Sequence, residues 1–233
     1  MKPLFPFYGS KWRDAKRYPR PNSGVVIEPF AGSAGYSTFY APERVLLLDA
    51  DPIIVSVWQY LIRVTPSEIR ALPDLAPGQS VDSFALPQEA RWLIGFWLNR
   101  GSSQPKKTQT AFSARTERGQ LVWGARARER IATEIEGVRR WEVRQGSYES
   151  APRIKATWFI DPPYVEKGRY YRFRDVDYPA LAQWSRGLAG QVVVCEQEGA
   201  TWLPFRPLAV IKSTKGTSSE VVFTQGVCES GEP

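Results

Sequence analysis

The chain has 233 residues, 31 Lys and Arg against 24 Asp and Glu, two cysteines, nine tryptophans and no histidine. The missing histidine excludes Ser-His-Asp and Cys-His nucleophilic catalysis, imidazole acid–base work and every His-based metal site. Two cysteines cannot build a four-cysteine zinc or iron–sulfur centre, so no metal site is expected.

The N-terminal segment Phe5-Pro6-Phe7-Tyr8-Gly9-Ser10-Lys11 reads as an aromatic anchor followed by a turn. Residues 25–30 are the first apolar run of strand type, and they lead into Glu28-Pro29-Phe30-Ala31-Gly32-Ser33-Ala34-Gly35. Glycine at such a turn lets backbone approach a ligand closely. A second run, residues 45–49, ends in Asp49, which stands 17 positions beyond Gly32 and is placed to bind ribose hydroxyls. A glycine pair after a strand is also an ordinary turn; the position of Asp49 is what favours a nucleotide-type ligand. Asp51 can cap and Pro52 suits a first helical position, which predicts a helix over residues 53–63.

Residues 66–137 read as an inserted, mainly helical subdomain. Its residues 88–99 carry Trp92, Leu93, Phe96 and Trp97 on one helical face, and residues 101–120 show no periodicity. Trp123, Ala127, Ile131 and Ile135 then recur every four residues, a buried helical stripe whose other faces carry Arg126, Arg128 and Arg130. Beyond the insertion, residues 141–145, 157–161, 191–196, 208–212 and 219–225 read as strands. A helix is expected over residues 177–188, with Pro179 leaving its start open. Residues 213–218 are short enough for an antiparallel hairpin. Cys195 sits in an apolar run and reads as core filler. The fold class is therefore α/β: seven strands, mostly parallel, with an antiparallel last strand, residues 1–65 and 138–233 forming one domain around the insertion.

Charge is concentrated. Residues 100–155 hold 13 basic and six acidic side chains, the whole of the net +7, while the rest of the chain carries 18 of each sign. An Arg-rich solvated face and a polyanion footprint both fit this, the second gaining affinity from counterion release. Residues 11–20 and 167–174 are smaller basic clusters that would extend such a footprint. The longest apolar run, residues 92–98, is too short for a bilayer, and no export segment follows Met1. A cytoplasmic, reduced-thiol environment is expected.

The last constellation is Asp161-Pro162-Pro163-Tyr164, at the carboxyl end of a predicted strand, where α/β sheets place their sites. Two prolines lock the backbone and remove two N–H donors, leaving carbonyls and the Asp161 carboxylate to receive an exocyclic amine while Tyr164 offers a flat ring. In order, these segments resemble the Dam-type DNA adenine-N6 methyltransferases over nearly the whole chain. That family runs an aromatic-x-Gly-x-Lys segment, an acidic-Pro-Phe-x-Gly loop, an acidic residue ending the second strand, an inserted recognition region and D-P-P-Y.

The resemblance implies a Rossmann-like methyltransferase fold and S-adenosylmethionine as methyl donor. The donor would be held by Phe7, Tyr8, Gly9, Ser10 and Lys11, by Glu28, Pro29, Phe30, Ala31, Gly32 and Ser33, and by Asp49, Ala50, Tyr148 and Asp161. Lys11 would meet the donor's carboxylate and Asp49 its ribose. A target adenine flipped from duplex DNA would bond through its amine to Asp161 and the Pro162 carbonyl and stack on Tyr164, with Pro163 completing the catalytic element. Double-stranded DNA is the implied partner, contacted by Lys106, Lys107, Arg115, Arg118, Arg126, Arg130, Lys167 and Arg169, in a nucleoid-associated monomer or weak dimer. The chain departs from the family at Ala34, where a second glycine is common, and at Ser147-Tyr148, where an acidic-aromatic pair is common. Nor does residues 66–137 carry the pattern associated with GATC readers. Two other functions fit the same residues: methyl transfer to RNA or protein, and a catalytically impaired module that only binds DNA.

Overall fold

A computed structural model describes residues 1–99, 101–114, 122–165, 170–213 and 216–227. Seven strands form one sheet: β1 (Val26–Glu28), β2 (Val45–Asp49), β3 (Glu142–Gln145), β4 (Ala156–Ile160), β5 (Gly190–Gln197), β6 (Arg206–Ser213) and β7 (Gly216–Gln225). Their spatial order is β3-β2-β1-β4-β5-β7-β6. The first five strands run parallel; β7 alone is antiparallel to its neighbours β5 and β6. Strand order reverses between β1 and β4, which opens a crevice at the carboxyl ends of those strands.

Both faces of the sheet are covered, and the strands show it residue by residue. Val26, Leu47, Phe159, Val193 and Cys195 join one core layer, whereas Ile27, Leu46, Leu48, Trp158, Ile160, Val192 and Val194 join the other. This is the two-residue alternation of a strand with an apolar layer on each side. Cys195 is fully buried in the first layer; Cys228 lies outside the described residues. The edge strand β3 is mostly exposed, in keeping with Glu142 and Arg144 in its sequence.

Seven α-helices occur among the described residues: α1 (Gly35–Tyr40), α2 (Pro52–Arg63), α3 (Pro66–Ala71), α4 (Gln88–Leu98), α5 (Ala111–Ala114), α6 (Ala125–Glu134) and α7 (Tyr178–Arg186). Asp51 caps α2 by accepting from Ile53 N–H at 2.9 Å. Asp177 caps α7 by accepting from Ala180 N–H at 2.9 Å, and Pro179 falls in the first turn, where a missing N–H costs nothing. The short helices α1 and α3 escape a periodicity reading, although Thr65 and Glu68 form a full capping box for α3.

Strand β1 ends at Glu28, two residues earlier than its apolar run, because Pro29 cannot continue a hydrogen-bonded ladder. Between β2 and β3 the regular structure of the described chain is helical apart from an isolated bridge between Ser80 and Thr108. This insertion does not pack separately. Leu93, Phe96, Trp97 and Ile131 share one core with Phe5 and Trp58 and with strand residues Val26 and Val193. Among the described residues, no helix is long and apolar enough to cross a membrane.

Candidate active site

The crevice at the strand reversal holds a cavity of about 410 Å³, of a size that takes a cofactor-sized molecule. The loops after β1, β2, β3 and β4 all reach it, so residues far apart in sequence converge at one edge of the sheet. Phe7, Tyr8, Gly9, Ser10 and Lys11 line it from the N-terminus, and Glu28, Pro29, Phe30, Ala31, Gly32 and Ser33 from the β1 loop. Asp49, Ala50, Tyr148, Asp161 and Pro163 complete the set expected from sequence; Pro162 and Tyr164 are buried but do not line the cavity.

The β1 loop is held by its own backbone. Gly32 has φ +46°, and a side chain there would run into the Phe7 ring. Gly32 N–H donates to Asp49 Oδ2 at 2.9 Å, and Trp58 Nε1 donates to the Gly32 carbonyl at 2.8 Å. A side chain at Gly35 would meet the backbone nitrogens of Lys11 and Trp12, so the N-terminal segment seats directly on this loop. The hydroxyls of Ser33 and Ser10, 2.9 Å apart, join them again. Ala34, where glycine was expected, adopts φ +48° and ψ +53°, the left-handed conformation that glycine takes without strain.

Electrostatically the site is built on buried acids. Glu28 accepts from Ser37 N–H at 2.7 Å, yet burial pushes its carboxyl up to about 8, against that hydrogen bond. Asp49 is pushed up to about 6 by burial, against hydrogen bonds from Asp51 and Gly32. Lys11 Nζ lies 3.0 Å from Asp161 Oδ1 and 3.9 Å from Glu220 Oε1. Burial alone would lower the ammonium's proton affinity, but the two carboxylates outweigh it and hold Lys11 charged. Asp161 is pushed up by burial and by the Glu220 charge, against the pull of Lys11.

Tyr164 is arranged otherwise than the sequence suggested. Its hydroxyl donates to Glu220 Oε2 at 2.6 Å, Lys11 Nζ sits 4.7 Å from its ring centroid, and the residue is 9% exposed. In this conformation the ring is not an open stacking surface. Glu220, on the antiparallel strand β7, also accepts from Tyr18 at 3.4 Å and is the residue that sequence reasoning missed. Tyr171 was missed too. It lines the cavity, donates to the Tyr8 carbonyl at 3.4 Å and lies 6.2 Å, ring to ring, from Phe7.

No family model matches this chain, and no curated protein sequence shows significant similarity to it.

After β3 the wall is Gly146, Ser147, Tyr148 and Glu149. Tyr148 stacks on Phe30 at 5.8 Å between centroids. The acid absent at Ser147 is present two positions later, where Glu149 Oε2 accepts from the Ser147 hydroxyl at 3.3 Å. From the insertion, Ser103 and Gln104 reach the cavity rim, and Tyr8 N–H donates to the Ser102 carbonyl at 3.1 Å.

The basic stretch is less available than its charge count suggested. Lys107 pairs with Asp82 at 2.8 Å, Arg128 with Asp74, Arg139 with Glu136 at 3.0 Å, Arg140 with Glu43 and Arg144 with Glu142 at 3.0 Å. Arg130 donates to the Pro3 carbonyl at 2.9 Å and lies over the Trp97 ring at 4.9 Å, fastening the N-terminal segment to α4. Lys106 and Arg126 are exposed and form no ion pair among the described residues. Arg115, Arg118, Lys167 and Arg169 lie outside the described residues.

Proposed function

We propose that this chain is an S-adenosylmethionine-dependent methyltransferase acting on N6 of adenine in duplex DNA. The observation that carries the reading is convergence: Asp161-Pro162-Pro163-Tyr164 at the end of β4 adjoins the same cavity as the Glu28 loop, Asp49 and the Lys11 segment. The seven-stranded sheet with one antiparallel strand is the architecture that the family resemblance implies.

The residues present fit this donor. Phe30 and Tyr148 supply apolar walls for a purine, half-buried Asp49 an acceptor for ribose hydroxyls, and Asp161, paired with Lys11, the carboxylate of the cavity. Glu28, its carboxyl pushed up to about 8, is mostly a neutral hydrogen-bonding group at neutral pH. When bound, the donor supplies an electrophilic methyl group on a sulfonium. The chain's part is positioning and proton handling. Asp161 accepts from the amine and directs its lone pair, and its raised proton affinity suits it to take the proton that the methylated amine sheds. Lys11 keeps that carboxylate from charge isolation, and any donor carboxylate must share its ammonium with Asp161 and Glu220. No histidine takes part in this scheme, in keeping with the composition.

Calorimetry with S-adenosylmethionine, followed by transfer of a labelled methyl group to unmodified DNA, tests the proposal. Label in N6-methyladenine is the expected result, and sequencing methylated bases in expressing cells would then give the recognition site. Label in RNA or protein alone would transfer the reading to those substrates, and donor binding without transfer would leave a DNA-binding module.

A further inference from the structure

Among the described residues, four large hydrophobic side chains stand well exposed: Ile154, Val165, Tyr170 and Phe173. Three of the four follow Asp161-Pro162-Pro163-Tyr164 within nine positions. Exposed rings gathered in one place mark a contact surface, since covering an aromatic side chain is among the larger apolar gains a chain can make. Tyr170 is 48% and Phe173 44% exposed.

Tyr170 is held in place from beneath. Tyr170 packs on Tyr8 with centroids 5.2 Å apart, and its carbonyl accepts from the Ser103 hydroxyl of the insertion. Tyr171, the next residue, turns inward against Phe7 and Tyr8. Arg172 lies 5.5 Å from the Phe173 ring centroid. Arg172, Phe173 and Arg174 also line the cavity mouth, so the surface is continuous with the site where Asp161 sits. Of the two acids that follow, Asp177 is engaged in capping α7; Asp175 is the other.

Rings interleaved with guanidinium groups suit a ligand that has flat faces and a phosphate chain. Protein contacts use rings and arginines too, but this surface runs into the cavity that holds Asp161. An unpaired nucleic-acid strand entering that cavity would use the rings for its bases and the guanidinium groups for its phosphates. Resting on the methyl-transfer reading above, we propose that Tyr170 and Phe173 are the surface on which bases flanking the extruded adenine stack, with Arg172 and Arg174 meeting the phosphates. The rim thereby holds an unpaired stretch of strand open at the cavity mouth.

The test uses the full chain with a single-stranded oligonucleotide carrying 2-aminopurine, whose fluorescence falls on stacking and which needs no knowledge of the recognition sequence. Tyr170→Ala and Phe173→Ala should each weaken binding about 5- to 150-fold, the range for one lost base–aromatic stack, without changing its salt dependence. Binding to Phe173→Ala, which keeps Tyr170, should quench the probe less than the wild type does, whereas Phe173→Trp should keep affinity and quenching. The double variant Arg172→Ala/Arg174→Ala should instead flatten the salt dependence. Alanine variants that bind and quench like the wild type would overturn this inference alone. A wild-type chain that binds S-adenosylmethionine and duplex DNA but no single strand would likewise overturn this inference alone; one that binds the donor but neither form of DNA would overturn the methyl-transfer reading on DNA, and this inference with it.

Discussion

The cavity floor and the insertion use charge in opposite ways. On the floor, three ionisable groups, Lys11, Asp161 and Glu220, meet out of water, with side-chain exposures of 9%, 19% and 9%. In the basic stretch, pairs such as Arg140–Glu43 and Arg144–Glu142 stand more than half exposed on both sides. Water and salt screen the exposed pairs to about 0–1 kcal/mol each, whereas removing one member of a buried pair costs about 3–5 kcal/mol. A charge excess in sequence therefore measures little until its partners are known, and a few buried charges can outweigh a basic segment.

Substitutions on the floor should have the largest effects. Asp161→Ala should lower methyl transfer by roughly 10²- to 10⁴-fold, as for loss of a proton-handling group, while donor affinity changes little. Glu220 remains to neutralise Lys11, so this variant should fold. Loss of donor binding to the same extent as activity would mean that Asp161 belongs to the donor site rather than to the chemistry.

Glu220→Ala tests the same floor through stability. It removes both the Tyr164 acceptor and one of the two Lys11 counter-ions, and chemical denaturation should show a loss of about 3 kcal/mol or more. Glu220→Gln keeps an oxygen for the Tyr164 hydroxyl and should lose clearly less. Equal losses would show that the charge, and not the hydrogen bond, sets the cost. For Asp49→Ala, calorimetry should find donor affinity weakened by about 1.5–3 kcal/mol, the range for a charged hydrogen bond. An unchanged affinity would leave Asp49 only its visible role, receiving the backbone N–H groups of Gly32 and Asp51.

On the insertion the contrast sharpens within a single helix. Arg126→Ala should lower the salt slope of DNA binding by about one and leave stability within about 0.5 kcal/mol, since the residue is exposed. Arg130→Ala should do the reverse, because its guanidinium holds the Pro3 carbonyl and covers Trp97. A reduced slope for Arg130→Ala at unchanged stability would return both arginines to the polyanion face.

Much of this arrangement was legible in the sequence. All seven strands were expected from the sequence, although β3 is mostly polar, and Asp49 and Asp161 stand out at the ends of expected strands while Glu28 stands out by the Pro-Phe-x-Gly that follows it. Glu220 does not stand out: between Ser219 and Val221 it reads as the solvent side of an alternating strand. Its burial comes from the register of β7 on β5 and from Tyr164 reaching across to it. The pairing of the arginines is hidden for a related reason. Arg139 finds carbonyls at Ile62 and Val64, more than 70 positions away, contacts made only when α2 packs beside the chain leading into β3. Chain-local patterns give elements and strand ends; they do not give strand order or the partners that order creates.

The smallest expected effect concerns Ala34, and it follows from three terms of similar size. Holding a non-glycine residue at φ +48° costs roughly 1–2 kcal/mol. Ala34→Gly would remove that strain, but glycine enlarges the unfolded ensemble at a cost of about 0.4–1 kcal/mol. The alanine methyl is also fully buried, and losing it forfeits roughly 0.8 kcal/mol. The sum lies within about 1 kcal/mol of zero, so thermal unfolding of Ala34→Gly should fall within about 2–4 °C of the wild type. A rise well beyond that would mean that the methyl contributes little and the strain dominates. A midpoint near the wild type would explain how this loop keeps a glycine's conformation without a glycine.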